Sequence, residues 1–183
     1  MATVYAFLAD GFEEVECLAA ADVLVRAGVG VRLVSVTGKR EVHGSHHFGI
    51  RADALIEKVD PLDADLLMLP GGQPGTENLY ACKMLRDALL EADKKGKRIA
   101  AICAAPSILG RLGLLEGKRA TCYPGYEGTL TGAKLTGAGV VTDGKITTAR
   151  GVGLAFDFGL EMVRLLAEPA VAASVAERML YEA

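Results

Sequence analysis

The sequence is poor in aromatic residues and contains no tryptophan. Of its 183 residues, 5% are aromatic, whereas 51% are hydrophobic. The core must therefore be built mainly from alanine, valine, leucine and isoleucine, and such a core suits packed layers of helices and strands. The 22 glycines fit the many turns of such an arrangement. The length suits one compact domain over residues 1–183.

The sequence also lacks a large excess of charge and a long apolar run. A formal net charge of −3 gives no reason to expect nucleic acid or an anionic membrane as a partner. No apolar run approaches the roughly 20 residues that span a bilayer, and the first ten residues lack the basic segment of a signal peptide. We therefore predict a cytoplasmic protein with no membrane partner.

Paired cysteine motifs are absent as well. The four cysteines, at positions 17, 82, 103 and 122, have none of the close spacings of metal-binding motifs, and in the cytoplasm we expect them to be reduced. His43, His46 and His47 lie in one polar segment with no other clear ligand set, so we interpret them as exposed loop residues. The sequence predicts no metal site and no cofactor.

An alternation of strand and helix patterns dominates the rest of the chain. Strand patterns cover residues 3–8, 31–36, 65–69 and 98–102, and helical patterns cover residues 13–27, 80–95, 104–112, 153–166 and 170–180. Residues 37–50 resemble a hairpin, residues 140–141 and 146–148 flank a second hairpin turn, and residues 120–123 and 134–135 resemble short strands. The alternation predicts an α/β fold with a doubly wound, mostly parallel sheet, at one edge of which the loops after the strands meet.

The segment around Cys103 predicts a reactive thiol. An apolar strand leads to Cys103, small residues follow it, and a helical pattern begins. This order is typical of a strand–elbow–helix turn, which lifts a nucleophile out of the sheet above the positive end of a helix. That position is expected to lower the pKa of the thiol. A buried structural cysteine is the alternative interpretation.

Three carboxylates follow the first strand and are expected near Cys103. Spacing alone does not choose between Glu13 and Glu16, which lie a full helical turn apart. Glu13 and Glu14 are interpreted as solvated residues that stabilise the first turn of the helix. A carboxyl group at this edge could move protons for the thiol, provided that burial keeps its pKa high enough.

The loop over residues 70–75 is rich in glycine and offers free backbone N–H groups. It is expected to be a strand-to-helix turn that also donates hydrogen bonds, with Gly71 serving only the backbone conformation. The N–H groups of Gly72 and Ala104 could hold an oxyanion that forms when the thiolate attacks a carbonyl group.

Four motifs together resemble the ThiJ/PfpI superfamily, in the branch of the Parkinson-disease-associated protein deglycase and its bacterial relatives. They are Gly-Phe-Glu-Glu-Val-Glu at 11–16, Leu-Pro-Gly-Gly at 69–72, Ala-Ile-Cys-Ala-Ala-Pro at 101–106 and Thr-Ala-Arg-Gly-Val-Gly at 148–153. The resemblance covers nearly the whole chain. It implies a flavodoxin-like sheet between helices, a nucleophile elbow at Cys103 and a homodimer.

The resemblance also implies roles for individual residues. Cys103 would be the nucleophile, Glu16 its acid–base partner, and Gly72 and Ala104 the donors of backbone N–H groups. The implied activity is a glutathione-independent, cofactor-independent glyoxalase or deglycase that acts on methylglyoxal-type oxoaldehydes or on glycated protein side chains. Such an activity protects against oxidative and carbonyl stress.

The sequence departs from its relatives at two positions. Protease-like branches place a histidine directly after the cysteine, where this chain has Ala104, so a Cys–His dyad is excluded there. Animal members of the deglycase branch have a histidine near the position of Tyr123. A phenol with a pKa of about 10 is a poor base near neutral pH, so Glu16 is the main candidate for proton transfer.

Two classes of function stay open at this stage. The first is the enzyme described above. The second is a non-enzymatic redox sensor or stress-responsive chaperone, in which Cys103 is oxidised to a sulfinic acid that a protonated Glu16 stabilises. A thiamine-related role, suggested by the superfamily name, has no supporting phosphate loop in the sequence.

Overall fold

A computed structural model describes residues 1–182 of the chain. Its helices alternate with strands along most of the sequence. The strands are β1 (Thr3–Leu8), β2 (Gly30–Ser35), β3 (Glu41–His43), β4 (Gly49–Arg51), β5 (Ala54–Leu55), β6 (Leu66–Leu69), β7 (Arg98–Ile102), β8 (Arg119–Ala120), β9 (Lys134–Leu135), β10 (Val140–Asp143) and β11 (Ile146–Ala149). The helices are α1 (Glu14–Arg26), α2 (Gly75–Ala81), α3 (Lys83–Lys94), α4 (Pro106–Arg111), α5 (Ala155–Leu166) and α6 (Pro169–Arg178).

The central sheet has seven strands in the order β10-β11-β7-β6-β1-β2-β5. Six of them are parallel, and β10 pairs with β11 in the antiparallel direction at one edge. β3 and β4 form a separate hairpin, as the sequence predicts, and β8 pairs with β9. The predicted flavodoxin-like α/β fold is confirmed.

Two apolar cores lie on opposite faces of this sheet. Alternate residues of β1 point to opposite cores, with Phe7 in one and Leu8 in the other, and both are fully buried. Helices α2, α3 and α4 contribute to the first core, and α1, α5 and α6 to the second. Both faces of the parallel strands are covered, which explains their nearly continuous apolar sequences.

Three element predictions are wrong in detail. The helix predicted over residues 80–95 is two helices, because Cys82 has an extended backbone (ψ 106°) that separates α2 from α3. The elbow helix begins at Pro106 rather than at residue 104. The short strand predicted over residues 120–123 is confined to β8, because the backbone beyond Ala120 forms a loop over Cys103.

Within residues 1–182, none of the helices has both the length and the apolar character that crossing a membrane requires.

Candidate active site

Cys103 lies directly after β7, at the turn that leads into α4. Its φ is +64°, a left-handed conformation that side chains disfavour, so its surroundings must hold the turn. The N–H of Cys103 donates to the carbonyl oxygen of Ala149 at 2.9 Å, and the N–H of Tyr123 donates to the carbonyl oxygen of Cys103 at 2.8 Å. These two bonds fix the cysteine at the carboxyl edge of the sheet.

The carboxyl group beside the thiol belongs to Glu16, in the first turn of α1. Glu16 is 1% exposed, and its Oε2 accepts the N–H of Gly71 at 2.9 Å. Within residues 1–182 its buried Oε1 has no hydrogen-bond partner, and its carboxyl group interacts with the thiol of Cys103. The carboxyl group therefore keeps a free oxygen that can accept a proton.

The start of α1 is tied to the glycine loop that follows β6. Glu13 caps the helix, since its Oε2 accepts the N–H of Glu16 at 2.6 Å. The N–H of Glu13 in turn donates to the carbonyl oxygen of Gly71 at 2.9 Å. Glu13 and the glycine loop thus hold Glu16 in place, since Glu13 binds its backbone N–H and Gly71 binds its carboxylate.

Gly71 has a role beyond backbone conformation. A Cβ atom at this position would lie 2.7 Å from the Cβ of Cys103 and 2.8 Å from Oε2 of Glu16. Only glycine lets the thiol and the carboxyl group approach each other while its N–H binds the carboxylate. The Pro-Gly-Gly motif signals a close backbone approach, but the sequence does not reveal that Gly71 lies between the two reactive groups.

The remaining predicted donors also face the thiol. The N–H groups of Gly72 and Ala104 lie close enough to the thiol of Cys103 to oppose the rise of its pKa, so they can stabilise negative charge there. Gly72 has a φ of +85°, and a Cβ there would lie 2.5 Å from the N atom of Glu13. The structure thus brings together the predicted residues, which are Cys103, Glu16, Gly72 and Ala104.

The pKa of the Cys103 thiol, which interacts with Glu16, differs from the value expected from the sequence. Burial raises the pKa of Glu16 to about 7. Burial, followed by the charge of Glu16, raises the pKa of Cys103 to about 12, against the opposing effect of the Gly72 and Ala104 N–H groups. The thiol pKa is therefore not lowered as the sequence predicts, because burial and the interaction with Glu16 outweigh the N–H groups of the turn. Above about pH 7 the pair holds one proton, on the thiol. Below it Glu16 is protonated as well, which removes the charge that opposes the thiolate.

Glu14 is not solvated, contrary to expectation. It is 4% exposed, its Oε1 accepts the N–H of His46 at 2.8 Å, and its Oε2 lies 2.9 Å from Nδ1 of His46. The side chain of Glu13 is also largely covered, at 13% exposure. Sequence reasoning missed these partners because the loop that supplies them lies more than 30 residues along the chain.

Other candidates lie at the margin of the site. Tyr123 is 49% exposed, and its established contribution is the backbone bond to Cys103. Cys17 and Cys122 are buried, and burial raises their pKa values to about 12 and about 11, as expected for packing residues.

A parallel α/β sheet with a cysteine at the elbow after a central strand, and a buried carboxyl group against its thiol, defines a class of flavodoxin-like proteins with a cysteine site. Within that class, the chain belongs to the DJ-1/PfpI family, whose sequence profile matches residues 2–165. The resemblance found in the sequence is thereby confirmed.

Individual relatives agree with this assignment. Protein dj-1beta of Drosophila melanogaster is 35% identical over 175 residues, which is 94% of each chain. The glutathione-independent glyoxalase DJR-1.2 of Caenorhabditis elegans is 33% identical over 86% of this chain and 84% of its own. Protein DJ-1 homolog B of Arabidopsis thaliana is 40% identical over 87% of this chain. The chain spans well under half of that relative, at 37% of its length, and 43% of homolog A.

Solved structures show the same fold. Oxidized DJ-1 of Toxoplasma gondii superposes with a TM-score of 0.96 over the whole of both chains, at 32% sequence identity. Drosophila melanogaster DJ-1beta superposes with a TM-score of 0.94 at 34% identity, over 100% of this chain and 99% of that one.

Proposed function

We propose that the protein is a cysteine-dependent, glutathione-independent glyoxalase or deglycase. Its substrates would be small α-oxoaldehydes such as methylglyoxal, or their early adducts on protein side chains. The observation that carries the proposal is the buried carboxyl group of Glu16, which interacts with the thiol of Cys103 and has an oxygen without a hydrogen-bond partner. That thiol also faces the N–H groups of Gly72 and Ala104.

In the first step, the sulfur of Cys103 adds to the aldehyde carbon of the substrate. The C–S bond forms as the C=O π bond opens, and the thiol proton passes to Glu16. The N–H groups of Gly72 and Ala104 hold the resulting oxyanion. Glu16 then returns the proton to that oxygen, which gives a neutral hemithioacetal on Cys103.

In the second step, Glu16 moves a proton between adjacent carbons. It takes the hydrogen of the former aldehyde carbon as a proton, and the hydroxyl proton on that carbon passes to the neighbouring ketone oxygen through an enediol. Glu16 then delivers its proton to the former ketone carbon. The product is a thioester of a 2-hydroxy acid. Water cleaves this thioester, releases lactate when methylglyoxal is the substrate, and restores the thiol without any net oxidant or reductant.

The name of the Caenorhabditis elegans relative, a glutathione-independent glyoxalase, supports this choice of reaction. The buried position of Glu16 supports its assignment as proton carrier, since its pKa of about 7 suits transfer in both directions near neutral pH. Deglycation would follow the same route from a hemithioacetal or aminocarbinol adduct. We also expect a homodimer, as the resemblance implies, and a cytoplasmic location, as the sequence predicts.

Redox sensing through Cys103 is the second candidate. The N–H groups of Gly72 and Ala104 and a protonated Glu16 could bind sulfinate oxygens as well as a substrate oxyanion. The raised pKa of Cys103 lowers the amount of thiolate, which is the species that peroxide oxidises and also the species that adds to a carbonyl group, so either reaction needs Glu16 to take the thiol proton.

The test is lactate formation from methylglyoxal without glutathione. We expect lactate from the wild-type protein, a loss of well over tenfold in kcat/KM from Cys103→Ser, and wild-type rates from the control Cys82→Ser, at the residue between α2 and α3. Absence of lactate from wild type would reject the enzyme. Intact mass after mild peroxide would then decide on redox sensing, which requires two added oxygen atoms on Cys103.

A further inference from the structure

A second group of chemically reactive side chains lies at the start of α1, beside the candidate active site. It consists of Glu13, Glu14 and His46, each of which presents one ligand atom within 4.8 Å of the other two. Nδ1 of His46 lies 2.9 Å from Oε2 of Glu14 and 3.9 Å from Oε1 of Glu13. The catalytic proposal uses none of these atoms.

We propose that Glu13, Glu14 and His46 form a binding site for a divalent transition-metal ion, with Zn²⁺ as the best-fitting ion. The sequence predicted no metal site, because the segment around His46 lacks further ligands of its own. The fold supplies them from α1. This inference is independent of the proposed enzymatic activity.

The spacing of the three ligand atoms fits a tetrahedral ion. With metal–ligand bonds of about 2.1 Å, neighbouring ligands of tetrahedral Zn²⁺ lie about 3.4 Å apart. The two separations from His46, 2.9 Å and 3.9 Å, lie on either side of this value. A shift of about half an ångström by the exposed imidazole would equalise them, at little cost on the surface.

Two of the ligands are already oriented by hydrogen bonds. Oε1 of Glu14 accepts the N–H of His46 at 2.8 Å, which leaves Oε2 toward the imidazole. Oε2 of Glu13 is occupied as the cap of α1, which leaves Oε1 on the His46 side. Such outer contacts are the usual means by which proteins fix metal ligands.

The loop that contains Gly44 packs closely against the carboxylate of Glu14. A Cβ atom on Gly44 would lie 2.1 Å from Oε1 of Glu14, so only glycine allows the loop to close over it. The side chain of His46 is 65% exposed, which gives an ion access from solvent and leaves a fourth position for water.

The donor set selects the class of ion. Two carboxylate oxygens and one imidazole nitrogen suit Zn²⁺ and its transition-metal neighbours, whereas Mg²⁺ and Ca²⁺ prefer oxygen ligands alone. The competing interpretation is an ion pair between His46 and the buried carboxylate of Glu14 that binds no metal.

The experiment is isothermal titration calorimetry of untagged, full-length, chelator-treated protein with ZnCl₂. It is done in the Cys103→Ser background, so that the thiol cannot contribute a ligand. Histidine 46 is replaced by alanine, and by glutamine, which keeps a hydrogen bond to Glu14 but is a poor zinc ligand. His43→Ala, at an exposed histidine of the same hairpin, is the matched control, and circular dichroism checks the fold of each variant.

We expect one Zn²⁺ per chain, with affinity reduced about tenfold or more in His46→Ala and His46→Gln and unchanged in His43→Ala. X-ray absorption at the zinc edge should show nitrogen and oxygen ligands only. No binding, or equal binding in the His46 and His43 variants, would overturn the proposal. Absence of binding would mean that Glu14 and His46 form only an ion pair. Equal binding would mean that zinc binds at another site.

Discussion

Glu14 and Glu16 lie two residues apart on one helix and are both buried, yet their environments shift their pKa values in opposite directions. The carboxylate of Glu14 accepts hydrogen bonds on both oxygens from the His46 loop, and these outweigh burial and lower its pKa. Glu16 has one hydrogen bond from Gly71, and its Oε1 has no partner within residues 1–182. Burial raises its pKa to about 7. Hydrogen-bond partners, rather than burial alone, decide which carboxyl group can carry a proton.

Replacing each carboxyl group by an amide should give the largest difference in effect between Glu14 and Glu16. Glu16→Gln removes the proton carrier, so we expect kcat/KM for methylglyoxal to fall about 10²- to 10⁴-fold. Glu14→Gln should act mainly on stability, at about 1–3 kcal/mol, because an amide cannot accept both bonds from the loop. Steady-state lactate formation and urea unfolding check the two effects. Equal losses of kcat/KM in the two variants would remove the distinction.

A methyl group at Gly71 should disturb Glu16 and leave Glu14 unaffected. Gly71→Ala places a Cβ within 2.8 Å of both Cys103 and Glu16, so the two must move apart. We expect about a 100-fold loss of kcat/KM, since small misplacements of reacting groups are that costly. Gly128→Ala is the control, because a Cβ there meets no atom within 4 Å. Similar rates for the two variants would show that the close approach is unimportant.

The pH dependence of stability should have opposite signs for the two groups. The pKa of Glu16 rises on folding from about 4.5 to about 7. Its contribution to stability is therefore present below the lower value and is lost as pH rises through the higher one. The pKa of Glu14 falls on folding, so its contribution is present above the unfolded value and is lost as pH falls.

Unfolding free energies measured in EDTA against the matching Gln variants test these signs. Relative to Glu16→Gln, wild type should lose about 3 kcal/mol between about pH 4.5 and pH 8. Relative to Glu14→Gln, wild type should instead lose stability toward low pH. A Glu16 difference that stays constant with pH would contradict the buried, neutral carboxyl group.

The smallest effect is expected at Tyr123, where the backbone rather than the side chain contacts the site. Tyr123→Phe leaves the N–H bond to the carbonyl oxygen of Cys103 intact. Because Glu16 carries the protons, kcat/KM should stay within about twofold of wild type. A loss above tenfold would assign the phenol a role in proton transfer and weaken the case for Glu16.

The strands were predictable from sequence because their buried faces require continuous runs of apolar residues. The apolar runs of β1 and β7 match the predicted boundaries at residues 3–8 and 98–102, and the elbow follows from the second of them. The break at Cys82 leaves no comparable trace, because a single extended residue separates two sequences that are both compatible with helix.

The burial of Glu14 and the position of Gly71 were not predictable because both depend on distant contacts. The partners of Glu14 lie more than 30 residues away, and Gly71 meets Glu16 across 55 residues. Local periodicity identifies Glu13, Glu14 and Glu16 as equivalent residues of one helical turn. Only packing against the two loops makes them different.

The most direct test of the account is a double-mutant cycle on kcat/KM for methylglyoxal, with Cys103→Ser, Glu16→Gln and the two combined. If the thiol and the carboxyl group act as one unit, the double variant should be no slower than the slower single variant, because either change alone disables the pair. Losses that multiply in the double variant, or a Glu16→Gln protein within tenfold of wild type, would contradict the proton transfer from Cys103 to Glu16 on which the proposed mechanism depends.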